Sequence, residues 1–276
     1  MSEFQYYEFH SIDKALTPQQ QESIRGMSSR VDLTPTRAVF TYSFSDFRYN
    51  EEQIMFEYFD FMFYMSNWGA KRILIKIPES IGNFKELKKY NITVDSSYAQ
   101  EIRVVKRSKF ILIDINFTEE EGLGWIDENQ SYGFESIRNE IIEGDYRALF
   151  MIWLRFIEEM YETAEFDENY SFEVAFIPAN LETLPSSVLR YKDFFGVSDT
   201  WINAFLPYSK NDLGIDYKTL VQSLPKEKMT AYLHMILDNE PNIRARLVKE
   251  LKLSTRQEGT ETEADTRMLR LVDLGK

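Results

Sequence analysis

The sequence predicts an α+β protein, with an N-terminal mixed sheet that carries helices on one face in a ferredoxin-like manner, followed by a C-terminal helical region. Three observations predict this class. Alternating and continuous apolar runs of strand character dominate the first 117 residues. Beyond them, apolar residues recur at helical spacing and prolines separate the segments. Apolar residues make up 43% of the 276 residues, enough for a large core.

The first elements alternate between strand and helix. Gln5–Ile12 is predicted as a strand. Thr17 and Pro18 begin a helix, because Thr caps a helix N-terminus and Pro fits its first turn. Val39–Phe44 alternates between larger and smaller side chains and is predicted as the next strand.

The segment Glu51–Trp68 is predicted as one long and mostly buried helix. Its polar residues recur at spacings of four, three and seven, which places them on one narrow stripe. Gly69 suits the left-handed position that ends such a helix. The remaining elements predicted for this half are a strand, a short helix and an antiparallel strand pair: Arg72–Ile77, Phe84–Tyr90, Glu101–Val105 and Phe110–Ile115.

The second half is predicted to be helical. We expect three parts in the chain: a sheet domain (1–117), an acidic helical domain (118–253) and a flexible acidic tail with a short apolar end (254–276). The predicted helices are Tyr132–Glu143, Asp145–Thr163, Ser186–Phe195, Asp199–Leu206, Asp216–Ser223, Lys226–Leu237 and Asn242–Leu251.

The negative charge is concentrated in one region. The formal net charge is −13, and Thr118–Glu173 alone holds sixteen carboxylates against three arginines. Lys71–Lys109, in contrast, is basic. The acidic region predicts a surface that binds a basic protein partner, or one that mimics nucleic acid and inhibits a nucleic-acid-binding protein. Direct nucleic-acid binding is disfavoured, because a protein with a pI near 4.8 is negatively charged at neutral pH and is repelled by the phosphate backbone.

The composition excludes several kinds of chemistry. With no cysteine and two histidines, thiolate catalysis, cysteine-bound metals and multi-histidine metal sites are excluded, and no cofactor is expected. One alternative remains, a metal-dependent enzyme of nuclease-like type. It would use the carboxylates of Asp95, Glu101 and Asp114, with Arg103 where such sites carry lysine. Because Arg cannot accept a proton, this match is weak.

The sequence also bears on location. The N-terminus lacks the basic start and apolar run of a signal peptide, and the apolar stretches are too short or too charged to cross a bilayer. We therefore expect a cytoplasmic protein with no membrane contact. The oligomeric state is left open.

Several segments resemble a bacterial family without an assigned activity, whose members share a YYEF-x-x-ID strand, an ITPT turn and an NWG helix end. This chain departs from the family at Ser43–Asp46, where members carry Trp-Gly before the Asp. The resemblance implies a cytoplasmic bacterial protein. The segments that carry it are Gln5–Thr17, Asp32–Thr36, Tyr42–Phe47, Tyr58–Arg72, Gly144–Leu154, Leu224–Leu237 and Asn242–Leu251.

Two sets of residues are candidates for a binding surface. If the family shares a ligand or partner, the resemblance directs attention to Asp46, Asp60, Asn67, Trp68 and Arg72. The alternative is that these residues cap the predicted helix and fix the adjacent turn. The second set lies four and seven residues apart on one predicted helix face: Glu158, Glu162 and Glu165.

These observations favour a non-enzymatic interaction or adaptor protein. Its acidic helical face would engage a basic protein partner, and the binding would weaken with salt. The metal-dependent enzyme and the nucleic-acid mimic remain the alternatives.

Overall fold

The computed structural model describes residues 3–45, 47–94, 100–119, 122, 131–163, 171–210, 217–256 and 268–270. The strands in these ranges are β1 (Phe4–His10), β2 (Asp32–Leu33), β3 (Arg37–Ser43), β4 (Phe61–Ser66), β5 (Ala70–Pro78), β6 (Ile92–Thr93), β7 (Glu101–Arg107), β8 (Phe110–Thr118), β9 (Ser171–Glu173) and β10 (Met268–Arg270). The helices are α1 (Pro18–Arg25), α2 (Glu51–Tyr58), α3 (Phe84–Leu87), α4 (Ser136–Glu143), α5 (Arg147–Thr163), α6 (Ser186–Phe195), α7 (Asp199–Phe205), α8 (Tyr217–Val221), α9 (Lys226–Leu237) and α10 (Ile243–Arg256).

The first eight strands form one sheet in the order β2-β3-β1-β4-β5-β8-β7-β6. The predicted class, α+β with the sheet N-terminal to most of the helices, is confirmed. In detail, the described pairings are antiparallel rather than mixed. Strand β1 lies between β3 and β4, so Tyr7 pairs with Phe40 on one side and Tyr64 on the other.

The sheet separates two apolar cores. On β5, Ile73, Ile75 and Ile77 face the larger core, whereas Leu74 faces the smaller one. Helices α4, α5, α6 and α7 cover the larger core, and α1 and α2 cover the smaller one. Helices therefore lie on both faces of the sheet, where the sequence predicted one.

The sheet and the C-terminal helices share the larger core. Phe117, at the end of β8, packs edge-to-face on Phe156 of α5 and Phe195 of α6, with ring centroids 5.9 and 5.8 Å apart. Residues on both sides of the expected domain boundary at 117–118 thus bury apolar surface together. The division into domains stays a prediction.

The predicted helix Glu51–Trp68 is wrong in its second half. Helix α2 ends at Tyr58, and Phe61–Ser66 is strand β4. A strand with both faces buried has no polar alternation, so its apolar run cannot be told from a buried helix by period alone. Gly69 closes the β4–β5 turn at a φ of +102° and does not cap a helix.

Other local predictions are confirmed. Thr17 caps α1 in a capping box with Gln20, and Pro18 is its first residue. Helices α6 and α9 have the predicted bounds, and β7 and β8 form the predicted antiparallel pair. In the expected tail, β10 pairs with β9, while residues 257–267 and 271–276 lie outside the described residues.

Among the helices of the described ranges, none combines the length and apolar character needed to cross a bilayer.

Candidate functional site

Asp60 joins the α2–β4 connection to the loop after β1. It is buried, and its Oδ2 accepts hydrogen bonds from the backbone N–H groups of Ile12 and Asp13 at 2.8 and 2.9 Å. Its Oδ1 lies 3.4 Å from Nζ of Lys76, which is also buried. Because its oxygens are used inside the fold, Asp60 anchors a loop.

Asn67 and Trp68 form the turn between β4 and β5. The Oδ1 of Asn67 accepts the backbone N–H of Phe4 at 2.9 Å, which ties the turn to the start of β1. The indole of Trp68 is 43% exposed. A Cβ on Gly69 would lie 2.1 Å from the carbonyl oxygen of Glu119, so the turn fits closely against the chain after β8.

Arg72 belongs to a buried ion network centred on Asp114. Its Nε and Nη2 donate to the two carboxylate oxygens of Asp114, each at 2.9 Å, and Nη2 of Arg103 donates to the same carboxylate at 2.7 Å. Burial alone would raise the pKa of Asp114, but these guanidinium groups hold it below its ordinary value. Glu52 of α2 pairs with Arg103 and Arg107, which fastens α2 to the sheet.

The first candidate set is therefore divided among separate contacts. Asp60, Asn67 and Arg72 have different partners and hold different segments. Asp46 lies outside the described residues. The predicted alternative was that these residues cap the helix Glu51–Trp68 and fix the adjacent turn. Asn67 does lie in the turn after β4, but α2 ends at Tyr58, and the side chain that caps its N-terminus is that of Asn50.

The acidic helical set lies largely beyond the described part. Glu158 is half-buried on α5, the side chain of Glu162 is not among those described, and Glu165 lies outside the described residues. Beside them, Glu159 pairs with Arg155 at 2.9 Å. This set stays a prediction.

Several other carboxylates of the acidic region are paired within the molecule. Glu119 pairs with Lys71, Asp145 with Arg147 and Glu143 with Arg244. A carboxylate that already has a cation partner contributes less to the attraction of a second molecule. The described part of the region is thus less available to a partner than its composition indicates.

The arrangement of carboxylates does not favour the metal-dependent alternative. Both oxygens of Asp114 accept guanidinium N–H groups, and Glu101 lies 4.0 Å from Nε of Arg103. Asp95 lies outside the described residues. Among the residues that are described, no three His, Asp or Glu side chains lie together so as to hold a metal ion.

A third buried carboxylate, that of Glu8, was not among the residues predicted from the sequence. It accepts hydrogen bonds from Tyr6 Oη at 3.0 Å and from Ser131 and Arg37, and it lies 3.0 Å from Nε2 of His10. Burial would raise the pKa of Glu8, but the contacts with His10, Ser131 and Arg37 outweigh burial and lower it to about 2. Alternate polar residues on an otherwise apolar strand were the available signal.

Among the described helices, α9 carries the most exposed large apolar side chains, and its apolar face was not predicted as a site. None of its twelve residues is buried. Leu233, Ile236 and Leu237 are 59, 55 and 76% exposed, and they share one face because they are three and four residues apart. We call these three residues the α9 face.

Polar contacts hold α9 to α10. Tyr232 Oη donates to Oε2 of Glu250 at 2.7 Å, and Lys228 pairs with the other oxygen of the same carboxylate. Leu233, Ile236 and Leu237 take no part in these polar contacts.

Comparisons with family models, curated proteins and solved structures found no significant match. The resemblance to a bacterial family therefore stays a prediction.

Proposed function

We propose that the protein is a non-enzymatic protein-binding or adaptor protein, whose α9 face packs against a basic amphipathic segment of a partner protein. The observation that carries the proposal is the exposure of Leu233, Ile236 and Leu237 on a helix without a buried residue. Short helices in water are marginal unless an apolar face is packed. A partner would supply that packing.

The contact would resemble the docking of an amphipathic helix through residues spaced by three and four. Burying exposed Leu and Ile side chains releases free energy roughly in proportion to the area removed from water. Exposed contiguous apolar patches on soluble domains commonly mark interaction sites.

The charge of the chain favours a basic partner. A net charge of −13 attracts cationic proteins at long range and accelerates their association. Since several described carboxylates of the acidic region are paired internally, we place the short-range contact on α9. The acidic region then contributes mainly long-range attraction. The expected cytoplasmic location and bacterial origin remain parts of this proposal.

The test compares capture of partner proteins by three forms of the chain. Leu233→Lys/Leu237→Lys removes the α9 face. Ala231→Lys is the matched control, because Ala231 is exposed but lies about 160° around the helix from Leu233. Each tagged form is incubated with bacterial lysate at low and high salt, and bound proteins are quantified by mass spectrometry.

We expect the wild type and Ala231→Lys to capture the same basic protein. The double variant should capture at least ten-fold less of that protein. High salt should reduce capture by all forms that bind. Equal capture by all three forms would contradict the proposal. Light scattering gives the oligomeric state of both forms. If the wild type is a dimer and the double variant is a monomer, the α9 face binds a second copy of the chain instead.

A further inference from the structure

A cleft of about 400 Å³ lies on the side of the sheet that carries α1 and α2. It is formed by the turn after α1, by the end of β3 and by the loop before α2. Its volume falls within the range of small-molecule sites, about 300–1,000 Å³. The residues that line it are Met27, Ser28, Ser29, Arg30, Thr41, Tyr42, Ser43, Ser45 and Arg48.

The lining has the chemistry of an anion site. Arg30 and Arg48 are exposed, and neither guanidinium forms an ion pair with another described residue. Guanidinium groups bind phosphate through paired N–H donors, and hydroxyl groups add further donors. Six of the nine lining residues carry a hydroxyl group. In a chain of net charge −13, the described residues of this lining include two arginines and no carboxylate.

One wall of the cleft is already organised. The side chain of Ser28 lies beside the phenol of Tyr42, and its Oγ accepts the backbone N–H of Arg30 at 3.2 Å. Burial raises the pKa of Tyr42, whose phenol is protonated at neutral pH even at its ordinary pKa and can donate a hydrogen bond. These contacts fix the backbone from which Arg30 extends.

The residue between two lining residues in the sequence, itself not part of the lining, carries an exposed aromatic ring. Phe44, between Ser43 and Ser45, is 74% exposed, and its backbone has a φ of +67°. Bulky side chains are uncommon in this left-handed region, where glycine is favoured. A large ring at this position is therefore costly to the fold and gains little burial in return, which indicates a role in contact with another molecule.

We propose that this cleft binds a phosphate monoester attached to a planar ring, of the nucleoside monophosphate class. Arg30 and Arg48 hold the phosphate, and the ring of Phe44 stacks on the planar group. The volume exceeds what phosphate alone requires, which leaves room for the sugar and ring. This site lies on different elements from the α9 face, so it stands or fails independently of the proposed function.

Isothermal titration calorimetry of the full chain at pH 7.5 with AMP, inorganic phosphate and adenosine tests the assignment. We expect AMP to bind more tightly than either fragment. Arg30→Gln/Arg48→Gln should weaken AMP binding at least ten-fold. Arg25→Gln, an exposed arginine of α1 outside the cleft, should leave it unchanged.

Phe44→Gly separates the ring from the phosphate contacts and relieves the left-handed strain. The variant should have a higher melting temperature, because the strain is relieved. Its affinity for AMP should fall about ten-fold, as expected for the loss of a stacking partner, while its affinity for phosphate stays unchanged. Absence of AMP binding at millimolar concentration would overturn the proposal. So would AMP binding that survives Arg30→Gln/Arg48→Gln, or equal affinities for AMP and phosphate.

Discussion

Large apolar side chains are buried throughout the central strands of the sheet and exposed on helix α9. On β4, Phe61, Met62 and Phe63 are all buried, although neighbouring residues point to opposite faces. On α9, no residue is buried and Leu237 is 76% exposed. The difference indicates that the sheet and its two cores supply most of the buried apolar surface of the fold, whereas α9 leaves its apolar residues exposed for the contact that we propose.

The two regions also differ in how they use charge. The sheet holds Asp114 and Glu8 in its interior with several partners each, whereas the ion pair between α9 and α10 lies near the surface. Charges in the interior are costly unless paired, so breaking their contacts should destabilise the fold. The variants below compare the two regions on this basis.

Removal of the Asp114 carboxylate should have the largest effect. Asp114→Ala leaves Arg72 and Arg103 without their shared buried partner, and we expect a loss of about 3–5 kcal/mol in the free energy of unfolding. Urea denaturation of the full chain measures it. Glu101→Ala, a partly exposed carboxylate on the adjacent strand, is the control and should cost less than about 1 kcal/mol. Equal costs for the two variants would show that the network adds no stability.

Replacement of Glu8 should have the next largest effect, and one that depends on pH. Its pKa in the fold is about 2, against an ordinary value of 4.5. The carboxylate therefore contributes about 3 kcal/mol above pH 4.5, and this contribution is lost as the pH falls through the pKa of about 2. Glu8→Gln should cost about 3 kcal/mol at neutral pH.

The difference in unfolding free energy between wild type and Glu8→Gln should narrow by about 2 kcal/mol from pH 7 to pH 3, as measured by urea denaturation at both pH values. The control is Glu22→Gln, at an exposed position of α1, whose unfolding free energy should differ little from that of the wild type at both pH values. A difference for Glu8→Gln that does not change with pH would contradict the low pKa.

The smallest effect is expected on α9. Leu237→Ala removes a side chain that is exposed in the fold, and Ala is a strong helix former, so the free energy of unfolding should change by less than about 0.5 kcal/mol. Leu233→Ala, measured by the same urea titration, should behave alike. A cost of about 2 kcal/mol for either would mean that the chain itself covers this face.

The features that were predicted from the sequence are local ones. Thr17 and Pro18 mark the start of α1 in the sequence itself. The bounds of α6 and α9 follow from the prolines that precede them and from apolar spacing. Strand β4 was missed because both of its faces are buried, one in each of the two apolar cores, which removes the polar alternation of an ordinary strand. The turn after it, with Gly69 followed by an apolar run, was the local sign of a hairpin.

The candidate sites depend on contacts between distant residues. Arg72 and Asp114 are 42 residues apart, and Glu8 and Ser131 are 123 apart. They meet only once strand order and register are known, and neither follows from local pattern. The exposure of the α9 face could not be predicted either, because the sequence pattern of an apolar helix face is the same whether or not another part of the protein covers it.

The buried ion network has a consequence for strand alignment. Because side chains alternate along a strand, displacing β7 by two residues keeps every side chain on its face, and hydrophobic burial alone opposes such an error only weakly. In the native register Arg103 lies opposite Asp114. A two-residue displacement of β7 along β8 would set it opposite Leu112 or Asn116. We infer that the Asp114 network marks the correct alignment of these strands during folding.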